Sequence, residues 1–269
     1  MFRYLGYVLV VVATVGLGAG LAVALLVDLE RRVALDRGLR LTALDAIAPQ
    51  DARWVRAAAV LHDRRTGHAV PRTVLVFRFS DGWGRGGWAG DTGVGSCRRP
   101  GPLAVGGYPY EVTLPEEWPL LGVRSGATVW VRPAGVPVVW VDAAAVGVAA
   151  PGDQPAGQAG GAAEALEGLA SRYQVVYLVA GDLDRYAAQR ERAAALAPGP
   201  AVWIGPGAGA SRLAAVRAVW PKVAAALAAG PEFRDEAAAC GVPVLTVPRA
   251  GDASDEGAGL WREVGRRLR

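Results

Sequence analysis

Residues 137–146 read Pro-Val-Val-Trp-Val-Asp-Ala-Ala-Ala-Val, a run of β-branched and aromatic residues that stops on an acid and continues in small residues. Such a run suits a strand buried on both faces, and after it the chain alternates apolar strand-like and helix-like segments with short connections. Helical patterns at 162–171, 183–196, 211–219 and 233–240 are separated by strand patterns at 174–179, 201–204, 223–229 and 242–247. This alternation predicts a parallel sheet flanked by helices, in which ligands gather at the carboxyl ends of the strands. Asp142 lies at such an end and is the first residue to suspect of chemistry.

Before residue 135 the pattern differs. Segments 54–61, 73–79, 108–114 and 128–131 are short, β-rich and bounded by glycine, proline or aspartate, which predicts an all-β sandwich over 51–134. Residues 4–27 carry no charge and at helical rise reach about 36 Å, enough to cross a bilayer core. A cleaved signal peptide competes, since Arg3 and Ala22-Val23-Ala24 fit one, but the apolar run exceeds the usual signal core, so a membrane anchor over 1–27 is expected. Arg31, Arg32, Arg37 and Arg40 after it argue for a cytoplasmic body, whereas the very short tail before it argues for export. An extracytoplasmic single-pass arrangement is the expectation. Residues 28–50 read as a helical stalk, and 250–269 as an amphipathic helix with Leu260, Trp261, Val264 and Leu268 on one face.

The net charge of +4 comes from scattered arginines without interleaved stacking aromatics, so no nucleic-acid partner is expected. Cys97 and Cys240 lack metal-binding spacing, and whether they pair stays open. His62 and His68 flank one hairpin and read as exposed turn residues. Trp83 and Trp88 flank a glycine-rich hairpin, either as a platform for carbohydrate or peptide or folded onto their own domain. The glycine-rich stretch 205–211 reads as a loop with Ser211 capping the next helix, or as an anion-binding turn, and Asp182 and Asp184 read as a helix start.

Two resemblances add to this. Tyr108-Pro-Tyr-Glu-Val112, Ala69-Val-Pro71 and Gly90-Asp-Thr-Gly93 resemble the turns and strands of a prealbumin-like or Ig-like (carboxypeptidase regulatory-like) β-sandwich, which implies a binding or spacer module. Residues 135–249 resemble the haloacid dehalogenase-like (HAD-like) superfamily. That resemblance rests on Asp142-Ala-Ala144-Ala-Val146 for the family's Asp-x-Asp-x-Thr and on Gly230-Pro-Glu-Phe-Arg-Asp235 followed by Gly241-Val-Pro-Val-Leu245. It implies a doubly wound α/β fold, Asp142 as nucleophile, Arg212 near the family's lysine as a phosphate contact, and Mg²⁺ on Asp142 and Asp235.

Several groups that the chemistry needs are absent. Ala144 replaces the general acid, Val179 and Ala180 replace a hydroxyl donor, and Pro231 replaces a metal-binding carboxylate. The expected fold class is therefore multidomain: a transmembrane helix, an all-β sandwich, then a degenerate HAD-like domain. The expected function is a membrane-anchored, non-catalytic binding or interaction protein, with no cofactor, for an unknown protein or small-molecule ligand. The alternatives are a Mg²⁺-dependent phosphohydrolase using Asp142, with phospholipid as the candidate substrate, and a cell-envelope spacer.

Overall fold

The computed structural model describes residues 38–63, 65–115, 123–146, 161–196, 199–205, 210–220, 222–249 and 255–268, without the side chains of 194–196, 210–212 and 255–256. The expected anchor at 1–27, the first part of the stalk and residues 206–209 of the glycine-rich loop lie outside them. Eight strands come first: β1 (Leu39–Leu44), β2 (Ala46–Pro49), β3 (Trp54–Asp63), β4 (Thr73–Phe79), β5 (Gly84–Ala89), β6 (Val94–Pro100), β7 (Gly106–Thr113) and β8 (Arg124–Arg132). They form one sheet in the order β1-β3-β6-β5-β4-β7-β8-β2, antiparallel except where β2 pairs parallel with β8. Alternation along the strands sends Leu41, Ala43, Val55, Ala57, Leu61, Leu75, Phe77, Val112 and Val129 into one core.

A second sheet of β9 (Val138–Asp142), β10 (Gln174–Ala180), β11 (Ala201–Gly205), β12 (Val223–Ala228) and β13 (Val244–Thr246) is parallel, in the order β11-β10-β9-β12-β13. Its helices are α1 (Ala162–Ala170), α2 (Leu183–Leu196), α3 (Ala210–Val219), α4 (Pro231–Ala239) and α5 (Asp255–Arg267). Residues Leu166, Leu169, Tyr186, Trp261 and Val264 of α1, α2 and α5 cover one face, on Val139, Val141, Tyr177 and Val179. Leu213 of α3 and Phe233 and Ala237 of α4 cover the other, on Val138, Trp140, Val176 and Leu178.

The expected fold class is corrected by this arrangement. The described residues hold more strand than helix, the larger unit is a single mixed sheet, no described helix is long and apolar enough to cross a membrane, and no doubly wound HAD-like domain is evident. The physical reason is a shared core. Leu44 and Val60 of the large sheet pack in the same cluster as Val139, Val141, Tyr177 and Trp261, so the helix-bearing sheet is completed by the β-sheet beside it. The stalk expectation is also corrected from residue 39 onward, where β1 and β2 pair with β3 and β8.

The side chains singled out above divide similarly. His62 is buried at 2% exposure, not an exposed turn residue, while His68 is exposed. Trp83 folds back edge-on against Phe79 at 5.5 Å, with the Arg99 guanidinium over both rings, and Trp88 alone stands exposed. Neither cysteine forms a disulfide. Asp182 caps α2 by accepting the Arg185 N–H at 2.7 Å, and Asp184 in the same turn pairs instead with Arg40 at 2.6 Å. Helix α3 begins at Ala210, one residue before Ser211.

Candidate functional site

Strand β9 runs through the middle of the parallel sheet, so its last residue opens onto the edge where the carboxyl ends meet. The chain leaves β9 in a 3-10 turn, Ala143–Ala145, because Asp142 caps it: the Ala144 N–H donates to Asp142 Oδ1 at 3.0 Å. The Ala229 N–H, just past β12, donates to Asp142 Oδ2 at 3.2 Å. Both carboxylate oxygens are thus held by backbone. Burial pushes the Asp142 pKa above its ordinary value, against the pull of these amides and of the Arg249 charge.

Above Asp142 lies a cavity of about 290 Å³ lined by Asp142, Ala143, Ala144, Ala180, Arg185, Gln189, Glu232, Phe233, Arg249 and the Gly230–Pro231 peptide. Two arginines are brought in by the backbone. Arg185, in the first turn of α2, lies over Gly181, where an added Cβ would stand 3.3 Å from its Cδ. Gly181 itself has φ +117°, a conformation glycine adopts at little cost. Arg249, three residues past β13, donates from Nε to the Ala229 carbonyl at 3.4 Å, and its Nη2 stands 3.1 Å from where a Cβ on Gly230 would lie.

Gly230 is also the N-cap of α4. It makes no side-chain cap, and Pro231 follows at the first helical position, so the first turn of α4 meets the cavity with its amides uncapped by any side chain. From α2, Gln189 completes the lining. It is 3% exposed, and its amide oxygen is buried without a hydrogen-bond partner. A buried acceptor in that state is uncommon in a folded chain and wants a donor.

The structure therefore gathers some of the expected site residues and not others. Asp142 is central. Asp235, the second expected metal ligand, is not in the lining; it lies further along α4, exposed and paired with Arg234 at 3.1 Å. The acid of α4 that does line the cavity is Glu232. Arg212 sits on α3, and its side chain is outside the described residues. Ala144 lines the cavity where the HAD-like resemblance asks for a general acid.

The residues present do not fit Mg²⁺. A hard dication wants several oxygen ligands, whereas the cavity lining offers two acids, Asp142 and Glu232, and sets two guanidinium groups beside them. Among the described residues no group of three His, Cys, Asp or Glu converges as a metal site.

Arg185, Gln189 and Arg249 were not singled out in the sequence. Arg185 and Gln189 carry a readable signal, since residues four apart share a helix face, and this helix follows a strand that ends beside β9. Arg249 follows the last strand of the sheet, where the carboxyl-end rule also points.

No family model matches this chain, and no curated protein matches it. Among solved structures, a PKD domain of the human protein KIAA0319 aligns at 17% identity over 35% of this chain and 81% of that one, with a TM-score of 0.22. A carbohydrate acetylesterase from Xanthomonas citri aligns at 16% identity over 84% of this chain and 72% of that one, with a TM-score of 0.32. Likenesses this low carry no argument about the fold or activity of this chain.

Proposed function

We propose that the chain is a non-catalytic binding protein that holds a small polar molecule in the Asp142 cavity, tethered to a membrane by residues 4–27 with its body outside the cytoplasm. The observation that carries the reading is the cavity itself: charged and hydrogen-bonding residues converge at the carboxyl edge of a parallel sheet, and one of them, Gln189, has a buried amide oxygen without a partner. Against turnover stands the methyl group of Ala144 beside Asp142, which cannot transfer a proton. Losing a general acid alone costs roughly 10²–10⁴ in rate.

The test is hydrolysis of a generic phosphomonoester with Mg²⁺ by the full chain in detergent, beside Asp142→Asn. The expected result is the same background rate for both proteins. Turnover that disappears in Asp142→Asn would refute the non-catalytic reading. A compartment-sensitive reporter fused after Arg269 tests the placement, and a cytoplasmic signal would reverse it.

A further inference from the structure

We infer that the ligand of this cavity is a small carboxylate bearing a hydrogen-bond donor, a hydroxyl or an ammonium group, next to the carboxylate. This rests on the binding function proposed above and narrows it to a chemical class.

The charges come first. Arg185 and Arg249 are offset by Asp142 and Glu232, and the uncapped first turn of α4 adds the positive end of a helix dipole, equivalent to about half a charge. The balance suits one negative charge. A phosphate dianion would lie in a cavity this small beside two carboxylates, with no metal site among the described residues to offset them.

Shape points the same way. A guanidinium presents its N–H groups in a flat fork that matches the two oxygens of a carboxylate. Arg249 is held in place from behind by the Ala229 carbonyl and lies against Gly230, so its stem is fixed over the start of α4, where the amides are uncapped. The end of the ligand that meets Arg249 and α4 is therefore the anion.

The remaining polar groups ask for the opposite partner. Gln189 has an amide oxygen that accepts nothing, and the amide turns about a broad terminal torsion, so either of its ends can be presented to the cavity. Asp142 is an acceptor as well: the Ala144, Ala229 and Gly230 amides take three of the roughly four lone-pair sites of its carboxylate. A ligand with a carboxylate alone leaves these acceptors unmet in a buried site. One with an adjacent hydroxyl or ammonium satisfies them. At about 290 Å³ the space is at the small end of ligand pockets, which span roughly 300–1,000 Å³.

Saturation-transfer NMR on the full chain in detergent tests this with L-serine and D-glycerate, propionate as a carboxylate without the donor, glycerol as the donor without the carboxylate, inorganic phosphate, and a mixed library of small polar fragments. Wild type is compared with Arg249→Gln and Gln189→Leu, each checked for an unchanged melting profile. The expected result is binding of serine or glycerate at least tenfold tighter than propionate, weakened about tenfold or more in both variants. Arg249 is exposed, so its variant reports on binding even where Gln189→Leu disturbs the fold. Binding of glycerol, phosphate or neutral fragments only, sensitive to these variants, would overturn the carboxylate assignment and leave the binding function standing. No fragment showing a signal sensitive to either variant would overturn both.

Discussion

The junction between the two sheets is held at one point by a phenol, and removing its oxygen measures how far the sheets unfold as a unit. Tyr186 on α2 is fully buried. Its Oη accepts the Asp45 N–H at 2.8 Å and donates to the Ala201 carbonyl at 2.9 Å. Asp45 sits between β1 and β2 and accepts the Thr128 N–H of β8 at 3.0 Å; Ala201 opens β11. The Arg190 Nη1 donates to the Ala43 carbonyl at 3.1 Å nearby. Tyr186→Phe keeps the ring and its packing but leaves one buried N–H and one buried C=O unpaired. Each such group costs about 1–3 kcal/mol, so a loss of about 2–6 kcal/mol is expected. Because Leu44 and Val60 share a core with Val139 and Trp261, that loss should move a single transition of the whole body rather than split it. Urea unfolding of the full chain, followed by tryptophan fluorescence and by far-ultraviolet circular dichroism, checks this. A loss below about 1 kcal/mol, or two transitions that respond separately, would refute the view that this contact joins one cooperative unit.

Three further outcomes follow from buried groups. Trp261→Ala on α5 empties a fully buried indole position between α5 and the sheet and should cost about 3–5 kcal/mol in the same urea assay; a loss near zero would mean α5 does not cover the core. Asp45 has its pKa raised by burial against the pull of the Thr128 and Ala201 amides and of Arg190, so the folded state holds a proton that the unfolded state releases. Its contribution is full below the ordinary carboxylate range and fades as pH rises through the raised value, so stability measured from about pH 4 to 7 should fall less steeply in Asp45→Asn than in wild type. His62 has its pKa lowered, mainly by burial, with Asp184 at 3.7 Å pulling it back up and Arg40 pushing it down. The folded state keeps it neutral, so stability is lost as pH falls below about 6.5, and His62→Leu should lose less between about pH 7.5 and 5.5; equal losses would show that His62 does not titrate with unfolding.

The strand at 73–79 and the helix at 183–196 could be read to the residue because each buries a regular stripe, Leu75, Phe77 and Phe79 in one and Leu183, Tyr186 and Ala193 in the other. Strands β5 and β6 escaped notice because glycine is a poor strand former, and here it serves a packing purpose that only the partner strand explains. A Cβ on Gly87 would stand 2.7 Å from the Phe77 ring, and one on Gly95 would stand 2.6 Å from Leu75. The glycines are the space into which those core side chains fit. Strand β1 was hidden differently: Leu39, Leu41 and Ala43 alternate with Arg40 and Thr42, but the run continues from a charged, leucine-bearing segment that has helical spacing, and period 2 was absorbed into it.

The same limit explains the boundary drawn near residue 134 and the site residues that were missed. Composition changes there because a parallel sheet buried on both faces needs continuous apolar strands and an antiparallel one needs alternation. That difference says what each sheet buries, not whether they bury it against each other, and Ala58 and Val60 of β3, alternating with the Ala57, Ala59 and Leu61 of the first core, belong to the second. At the site, Asp142 was legible because strand ends are where a parallel sheet exposes function. Its chemistry was not, because a carboxylate at that place is defined by its surroundings: amides from the ends of β9 and β12, and guanidinium groups that line the same cavity from the start of α2 and the segment after β13. All but the end of β9 itself lie about 40 to 110 residues away along the chain, and only the order of strands in the sheet makes them neighbours. The amides at the ends of β9 and β12 fix the direction of this carboxylate without exhausting it as an acceptor, so what it can do is set by the groups that share its cavity.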